Sequence, residues 1–360
     1  YELLAEHARG GLGRIVRARD LRTGRLVAIK EMLQDTPDAA ARFCREALVT
    51  ANLQHPAIVP VYELGRWPEG QPFFAMKLVA GRALDEALRD APTLAERLAL
   101  LPRLIDVAEA MAYAHGEGVI HRDLKPANVL VGSYGETVVI DWGLARRVGD
   151  PELAAPALVA TAVSASVTVA GDVLGTPVYM PPEQARGEDV DARADVYGLG
   201  AMLYHLLTGC VPYAESVTVA EVLARLVSEP PRPVAELEPA VPPDLLAIVT
   251  KAMAPARDER YASARELAAD LRRFQTGQLV GAHAYSLRQL VRRWLRRHRA
   301  PLLVAAILAT ALAVMAIVLV RGIAAERNVA RRERAEADRQ RALVEARNNH
   351  LIIAQARGYV

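Results

Sequence analysis

Over the first eighty residues the apolar positions come in short alternating or continuous stretches. Tyr1–Leu4, Arg14–Arg19 and Leu26–Ile29 are bounded by a glycine cluster at 10–13 and a turn at Thr23-Gly24, the punctuation of strands joined by turns. From Thr36 to Leu53 the apolar spacing becomes helical, and His55-Pro56 stops it. Ile58–Leu64 and Phe73–Val79 read as two further strands before Gly81. Beyond that glycine helical periods take over, at Leu94–His115, Asp195–Leu207, Val219–Leu226, Asp244–Met253 and Ala264–Phe274. The pattern predicts an α+β architecture, with a small β-rich lobe over residues 1–80 and a larger helical lobe over residues 81–275.

The rest of the chain departs from this body. Residues 150–173 are rich in Ala, Val, Ser and Thr without a period and predict a long loop. Residues 276–300 form a basic segment, with six arginines and a histidine over 286–299. Pro301–Val320 then holds twenty uncharged residues, enough to cross a hydrocarbon core of about 30 Å at about 1.5 Å per residue. The flanking arginines sit where headgroups would be, and the position excludes a cleaved signal peptide. Residues 321–360 alternate charge with Ala and Leu and predict a long exposed helix, the start of a stalk or sensor. No strict heptad is sustained there, so a homodimer through this helix is compatible with the pattern without being specified by it. The chain begins with Tyr1 and ends at Val360 inside a helical pattern, and is expected to continue at both ends.

Composition narrows the function classes. A chain of 360 residues, 52% hydrophobic and 24% charged, is not wholly disordered. Lys+Arg 44 against Asp+Glu 42 leaves +2, so no global field draws the protein to nucleic acid, and no such partner is expected. Cys44 and Cys210 form no metal-ligand spacing, which places the bulk of the chain in a reducing compartment. Of the 44 basic side chains only Lys30, Lys77, Lys125 and Lys251 are lysines. Where this arginine-rich sequence uses lysine, a compact point charge is wanted.

Lys30 closes the strand-like Val27-Ala28-Ile29-Lys30, downstream of the glycine cluster Arg9-Gly10-Gly11-Leu12-Gly13-Arg14-Ile15. Glycines let backbone N–H groups approach phosphate closely, and an ammonium grips phosphate oxygens. Glu46 lies in the helical segment that follows. The decisive string is His121-Arg122-Asp123-Leu124-Lys125-Pro126-Ala127-Asn128, followed by Val139-Ile140-Asp141-Trp142-Gly143. One loop can present all of its polar groups together. Asp123 can accept a hydroxyl proton or orient a nucleophile, Lys125 can neutralise a transferring phosphate, and Asn128 with Asp141 offers hard oxygen ligands suited to Mg²⁺.

At these residues the chain resembles the protein kinases, specifically the eukaryotic-like serine/threonine kinases of bacteria, over about residues 1–275. The resemblance implies a bilobal protein kinase fold that binds ATP and Mg²⁺. It implies that Lys30 contacts the phosphates and pairs with Glu46, that Asp123 is the catalytic base with Lys125 beside it, and that Asn128 and Asp141 hold the metal. Gly10, Gly11, Gly13, Ile15, Ala28 and Met76 would line the nucleotide site with Lys30. Gly175-Thr176-Pro177-Val178-Tyr179-Met180-Pro181-Pro182-Glu183 looks like the substrate-side end of an activation segment, Asp195–Gly200 resembles the helix that anchors the catalytic loop, and Arg260 is placed to pair with Glu183.

Four positions depart from the family pattern: Ala8 for the first loop glycine, Trp142 for Phe, Pro181 for Ala, and Lys77 where an acidic residue is common. None removes a catalytic group. Lys125 and Thr176 imply serine and threonine residues of proteins as acceptors, rather than a small molecule, and the retained Lys30, Asp123 and Asp141 argue against a catalytically dead scaffold. Arg122 before Asp123 implies control by loop phosphorylation, first at Thr168, then at Thr161, Ser164 or Ser166. A kinase needs ATP, so residues 1–300 are expected in the cytoplasm, with one membrane crossing and residues 321–360 outside.

Overall fold

The alternation of the N-terminal segments has its counterpart in an antiparallel sheet in the computed structural model, which describes residues 1–9, 13–33, 36–147, 177–286, 294–295 and 298–357. Its strands are β1 (Glu2–Arg9), β2 (Gly13–Arg19), β3 (Leu26–Met32), β4 (Val61–Arg66) and β5 (Pro72–Lys77), in the order β1-β2-β3-β5-β4. β3 is apolar on both faces because it is covered on both. Val27 and Ile29 pack with Ala18, Phe73 and Ala75, whereas Ala28 packs on the opposite face with Phe43, Phe74 and Met76. Lys30, two residues beyond Ala28, shares that second face.

Helix α1 (Pro37–Asn52) covers this face. Thr36 caps it by accepting from the Ala39 N–H, Pro37 opens its first turn, and Phe43 and Ala47 are buried. Glu46, three residues after Phe43, is thereby carried toward the sheet. β4 starts at Val61 and not at Ile58, because Ile58 forms an isolated bridge with Val139, made by the Val59 N–H to the Val139 carbonyl and the Val139 N–H to the Ala57 carbonyl.

The helical lobe opens with β6 (Gly81–Ala83), α2 (Leu84–Arg89), α3 (Leu94–Leu98) and α4 (Leu101–Gly116). The single helix read over Leu94–His115 is thus two. Thr93 and Glu96 form a capping box that starts the first, and Pro102, without an N–H, opens the second. Short strands follow: β7 (Val119–Ile120) pairs with β10 (Arg146–Arg147), and β8 (Val129–Gly132) lies between β6 and β9 (Thr137–Val139). Then come α5 (Pro182–Ala185), α6 (Arg193–Thr208), α7 (Val219–Ser228), α8 (Val234–Leu237), α9 (Pro243–Ala252) and α10 (Ala264–Gln275). α6 is buried on nearly every face from Ala194 to Leu207 and runs through the main core, with α4, α9 and α10 packed on it.

These elements belong to one compact unit, Tyr1–Ala284, and Tyr285–Val360 forms a second. The second contains α11 (Arg299–Arg357), a single helix whose apolar stretch is exposed and long enough to cross a membrane. The expected loop at 150–173, and its residues Thr161, Ser164, Ser166 and Thr168, lie outside the described residues.

Candidate active site

The loop from β7 to β8 is built around one carboxylate. Asp195, 2% exposed in the first turn of α6, accepts the backbone N–H groups of His121 and Arg122 at 2.8 Å each, and its Oδ2 is 2.8 Å from His115 Nε2. Burial pushes this carboxyl up, but the bond and charge of His115, the charge of His121 and the His121 N–H outweigh it and hold the group below the usual Asp range. These anchors hold Arg122 at φ 70°, a left-handed conformation that costs a non-glycine residue about 1–3 kcal/mol. His121 Nδ1 accepts from the Asp123 N–H at 3.3 Å, so the segment folds back on itself.

Around Asp123 the other residues of the string converge. Lys125 Nζ is 2.9 Å from Asp123 Oδ2. Asn128 Nδ2 donates to the Asp123 carbonyl at 2.9 Å and to Asp123 Oδ2 at 3.1 Å, bonds that use the amide nitrogen and leave its Oδ1 to act as an acceptor or metal ligand. Asn128 can turn in this way because Pro126–Asn128 form a 3₁₀ turn leading into β8.

The second group comes from β3, α1 and the segment after β9. Lys30 Nζ bonds Glu46 Oε1 at 2.5 Å and lies 3.7 Å from Asp141 Oδ1. Burial opposes the Lys30 charge, yet the two carboxylates hold its ammonium above the ordinary lysine range. Asp141 also sits at positive φ, 63°, and keeps an open face, its side chain 46% exposed. Packing raises its pKa, while Lys30, Lys125, His121 and the Gly143 N–H lower it further, for a net fall. Gly143 sits tightly against the site: a Cβ there would stand 3.3 Å from Asp141 Oδ1 and 3.4 Å from Glu46 Oε2, so both carboxylates would have to give way by a few tenths of an ångström.

Ile15, Ala28 and Met76 pack in one apolar cluster beside Lys30, with Ile15 opposite Lys30 and Ala28 opposite Met76 in the strand registers. Gly13 opens β2 so close to β3 that a Cβ would meet the Glu31 carbonyl at 2.6 Å. Gly10 and Gly11 lie outside the described residues, as do Gly175 and Thr176. Two oxygens from Asn128 and Asp141 suit a hard divalent cation, and no group of three His, Cys, Asp or Glu side chains capable of holding a metal occurs among the described residues. A metal here would take its remaining ligands from phosphates and water, as Mg²⁺ does.

On the other side of the loop, Gln184 Nε2 donates to the Arg122 carbonyl at 3.0 Å. Glu183 forms a bidentate pair with Arg260 at 2.7 and 2.8 Å, both side chains fully buried. Trp142 is 1% exposed against His121, and neither its Nε1 nor His121 Nε2 has a partner among the described residues. Sequence reading missed His115 and Gln184, because each acts through a contact made only on folding.

A family model described as the protein kinase domain matches residues 1–270. The chain is 40% identical over 288 residues to the serine/threonine-protein kinase PknB of Mycolicibacterium smegmatis, covering 78% of this chain and 44% of that protein. It is 39% identical over 291 residues to a probable serine/threonine-protein kinase of Streptomyces coelicolor (79% and 41%), and 38% identical over 284 residues to PknB of Mycobacterium tuberculosis (77% and 43%). The chain thus spans less than half the length of these relatives.

Proposed function

The chain belongs to the protein kinase family, and on that premise we propose that it transfers the γ-phosphate of ATP to serine and threonine hydroxyls of proteins, its own activation segment among them. One observation carries the reading: Asp123, Lys125 and Asn128 meet in one loop, and the Lys30–Glu46–Asp141 chain stands ready to hold charge. ATP bound with Mg²⁺ supplies the phosphoryl group and a metal that neutralises its charge.

The residues then divide the work. Lys30, held by Glu46, grips phosphate oxygens, under the apolar cover of Ile15, Ala28 and Met76 and beside the glycines Gly10, Gly11 and Gly13. Asn128 Oδ1 and the Asp141 carboxylate ligate the metal. Asp123 orients the acceptor hydroxyl and takes its proton as the acceptor oxygen bonds to phosphorus. The bond to the bridging oxygen breaks, and its electron pair leaves with ADP. Lys125 offsets the charge on the group in flight.

The proposed division is N-lobe 1–80, C-lobe 81–275, basic segment 276–300, membrane helix 301–320 and charged helix 321–360. Because ATP is cytoplasmic, residues 1–300 lie inside, in a single-pass signalling kinase. The test is to incubate the full chain in detergent with γ-labelled ATP and Mg²⁺ and to map the products. Label on serine and threonine supports the reading, and label absent or confined to tyrosine contradicts it. Protease added to intact cells should remove a tag placed after Val360 and spare the kinase lobes, and a protected tag contradicts the topology.

A further inference from the structure

Like charges stand at the two ends of the glycine cluster. Arg9 and Arg14 flank it in the sequence and face each other as the last described rung of the β1–β2 ladder. Like charges directly opposite in an antiparallel pair push the strands apart. Here each guanidinium has a carboxylate of its own. Arg9 bonds Glu6, on its own strand, through Nε at 2.8 Å and Nη2 at 2.7 Å. Arg14 Nε donates to Glu31 Oε2 at 2.7 Å, across to β3. The Glu6 carboxyl is held below its ordinary range, by the Arg9 bond first and also by the charges of Arg9 and Arg14, against its own desolvation, so the two pairs are coupled.

The Arg14–Glu31 pair is the firmer restraint. The Arg9–Glu6 pair is exposed on both sides and contributes little by itself. Glu31 is 7% exposed, so solvent and salt screen its attraction for Arg14 poorly. Arg14 lies between Gly13 and Ile15, and Glu31 follows Lys30. Side chains alternate along both strands, so Arg14 and Glu31 share the face of the sheet that carries Ala18, Val27 and Ile29. Ile15 and Lys30, opposite each other in register, lie on the other face with Ala28 and Met76. The backbones meet closely at this point, since a Cβ on Gly13 would stand 2.6 Å from the Glu31 carbonyl. Fixing Arg14 to Glu31 therefore fixes Gly13 and Ile15 against Lys30 from behind.

We propose that Arg14 and Glu31 are positioning residues for the nucleotide: their ion pair, on the face of the sheet turned away from Lys30, clamps β2 to β3 against the Arg9–Arg14 repulsion and so sets the spacing of Gly13, Ile15 and Lys30. The proposal rests on the kinase reading above, which identifies the nucleotide as ATP. Asp123 and Lys125, which serve the acceptor, come from the helical lobe, so loss of the clamp separates nucleotide affinity from acceptor affinity.

The test measures Mg·ATP binding by calorimetry on the full chain in detergent, and on the same samples phosphate transfer to a peptide that the wild type selects from a degenerate serine and threonine library. Glu31→Gln keeps the side-chain shape and leaves Arg14 facing Arg9 without a counter-charge. Arg14→Gln leaves the Glu31 carboxylate without its cation. Each should weaken Mg·ATP binding about fivefold, with the peptide KM and the kcat at saturating ATP within about twofold of wild type. Combining Arg14→Glu with Glu31→Arg rebuilds the pair and places a carboxylate opposite Arg9, and should return the affinity to within about twofold of wild type. Arg9→Gln added to Glu31→Gln removes the repulsion and should recover part of the loss, which keeps the idea testable even where the exchanged pair folds poorly. Single variants that bind Mg·ATP as the wild type does, equal losses in ATP and peptide constants, or no recovery in either combined variant would each overturn the proposal. A wild type that binds Mg·ATP and transfers no phosphate would overturn the kinase reading alone, with the binding affinities still deciding the clamp, and a wild type that binds no Mg·ATP would overturn both.

Discussion

Replacing Asp195 by Asn changes one atom in the centre of the molecule and should disturb both stability and turnover. The carboxylate takes three bonds at 2.8 Å, from the His121 and Arg122 N–H groups and from His115. Asparagine has one oxygen. If that oxygen serves His121 and His115, the amide NH₂ is forced against the Arg122 N–H, a donor facing a donor. One charge-assisted bond is lost and one buried N–H is left without an acceptor, together about 3 kcal/mol. The strained Arg122 backbone, at φ 70°, then loses its restraint, and Asp123 follows it. A shift of about 1 Å at a reacting group costs about a hundredfold in rate. Urea unfolding of the full chain in detergent and a kcat measurement at pH 7 check both numbers. The pH dependence has a definite sign. The folded Asp195 pKa is depressed, so its contribution is present above the unfolded value of about 3.9 and is lost as pH falls through the lower folded value. The gap between wild type and variant should be widest above about pH 5 and should narrow in acid. Equal unfolding midpoints with kcat within about twofold at pH 7, or a gap that widens in acid, would refute the reasoning.

Asp141→Asn should weaken Mg·ATP binding about tenfold or more by calorimetry, because an anionic ligand is lost and Lys30 loses a carboxylate neighbour at 3.7 Å; unchanged affinity would count against the metal role. Glu183→Gln leaves the buried Arg260 charge with neutral acceptors, the amide oxygen at 183 and the carbonyls of Ala254, Arg193 and Pro255, and should cost about 3 kcal/mol in denaturant unfolding; an unmoved midpoint would show the pair to be dispensable. Trp142→Phe trades a buried N–H that has no acceptor among the described residues for a small cavity, two effects of about 1 kcal/mol and opposite sign, so its stability should stay within about 1 kcal/mol of wild type. A loss above about 3 kcal/mol would mean that the indole makes a bond of real strength.

The catalytic string was legible because its chemistry is contiguous: Asp123, Lys125 and Asn128 are brought together by a turn of eight residues, and local order suffices. Lys30, Glu46 and Asp141 come from a strand, a helix and a loop. Their meeting was legible only through resemblance, since no periodicity places a glutamate against a lysine across a sheet. The long helices were readable from their period, although the capping box at Thr93 and the proline at 102 split one of them. β7, β8, β9 and β10, of two to four residues each, are too short for a period to register. His115 gave no signal at all. It is one polar residue at the end of an apolar helix, and its partner, Asp195, becomes a neighbour only when α6 is buried.

The central claim is that Asp123 acts on the acceptor hydroxyl and not on the nucleotide. The most direct measurement pairs two readouts on the same samples of full chain, wild type and Asp123→Asn: binding of Mg·ATP, and transfer of labelled phosphate to serine or threonine. The account predicts binding within about twofold, because Asn keeps the hydrogen-bonding shape beside Asn128, with transfer slowed by about 10²–10⁴, the range of a lost general base. An Asp123→Asn protein that turns over near the wild-type rate would contradict it.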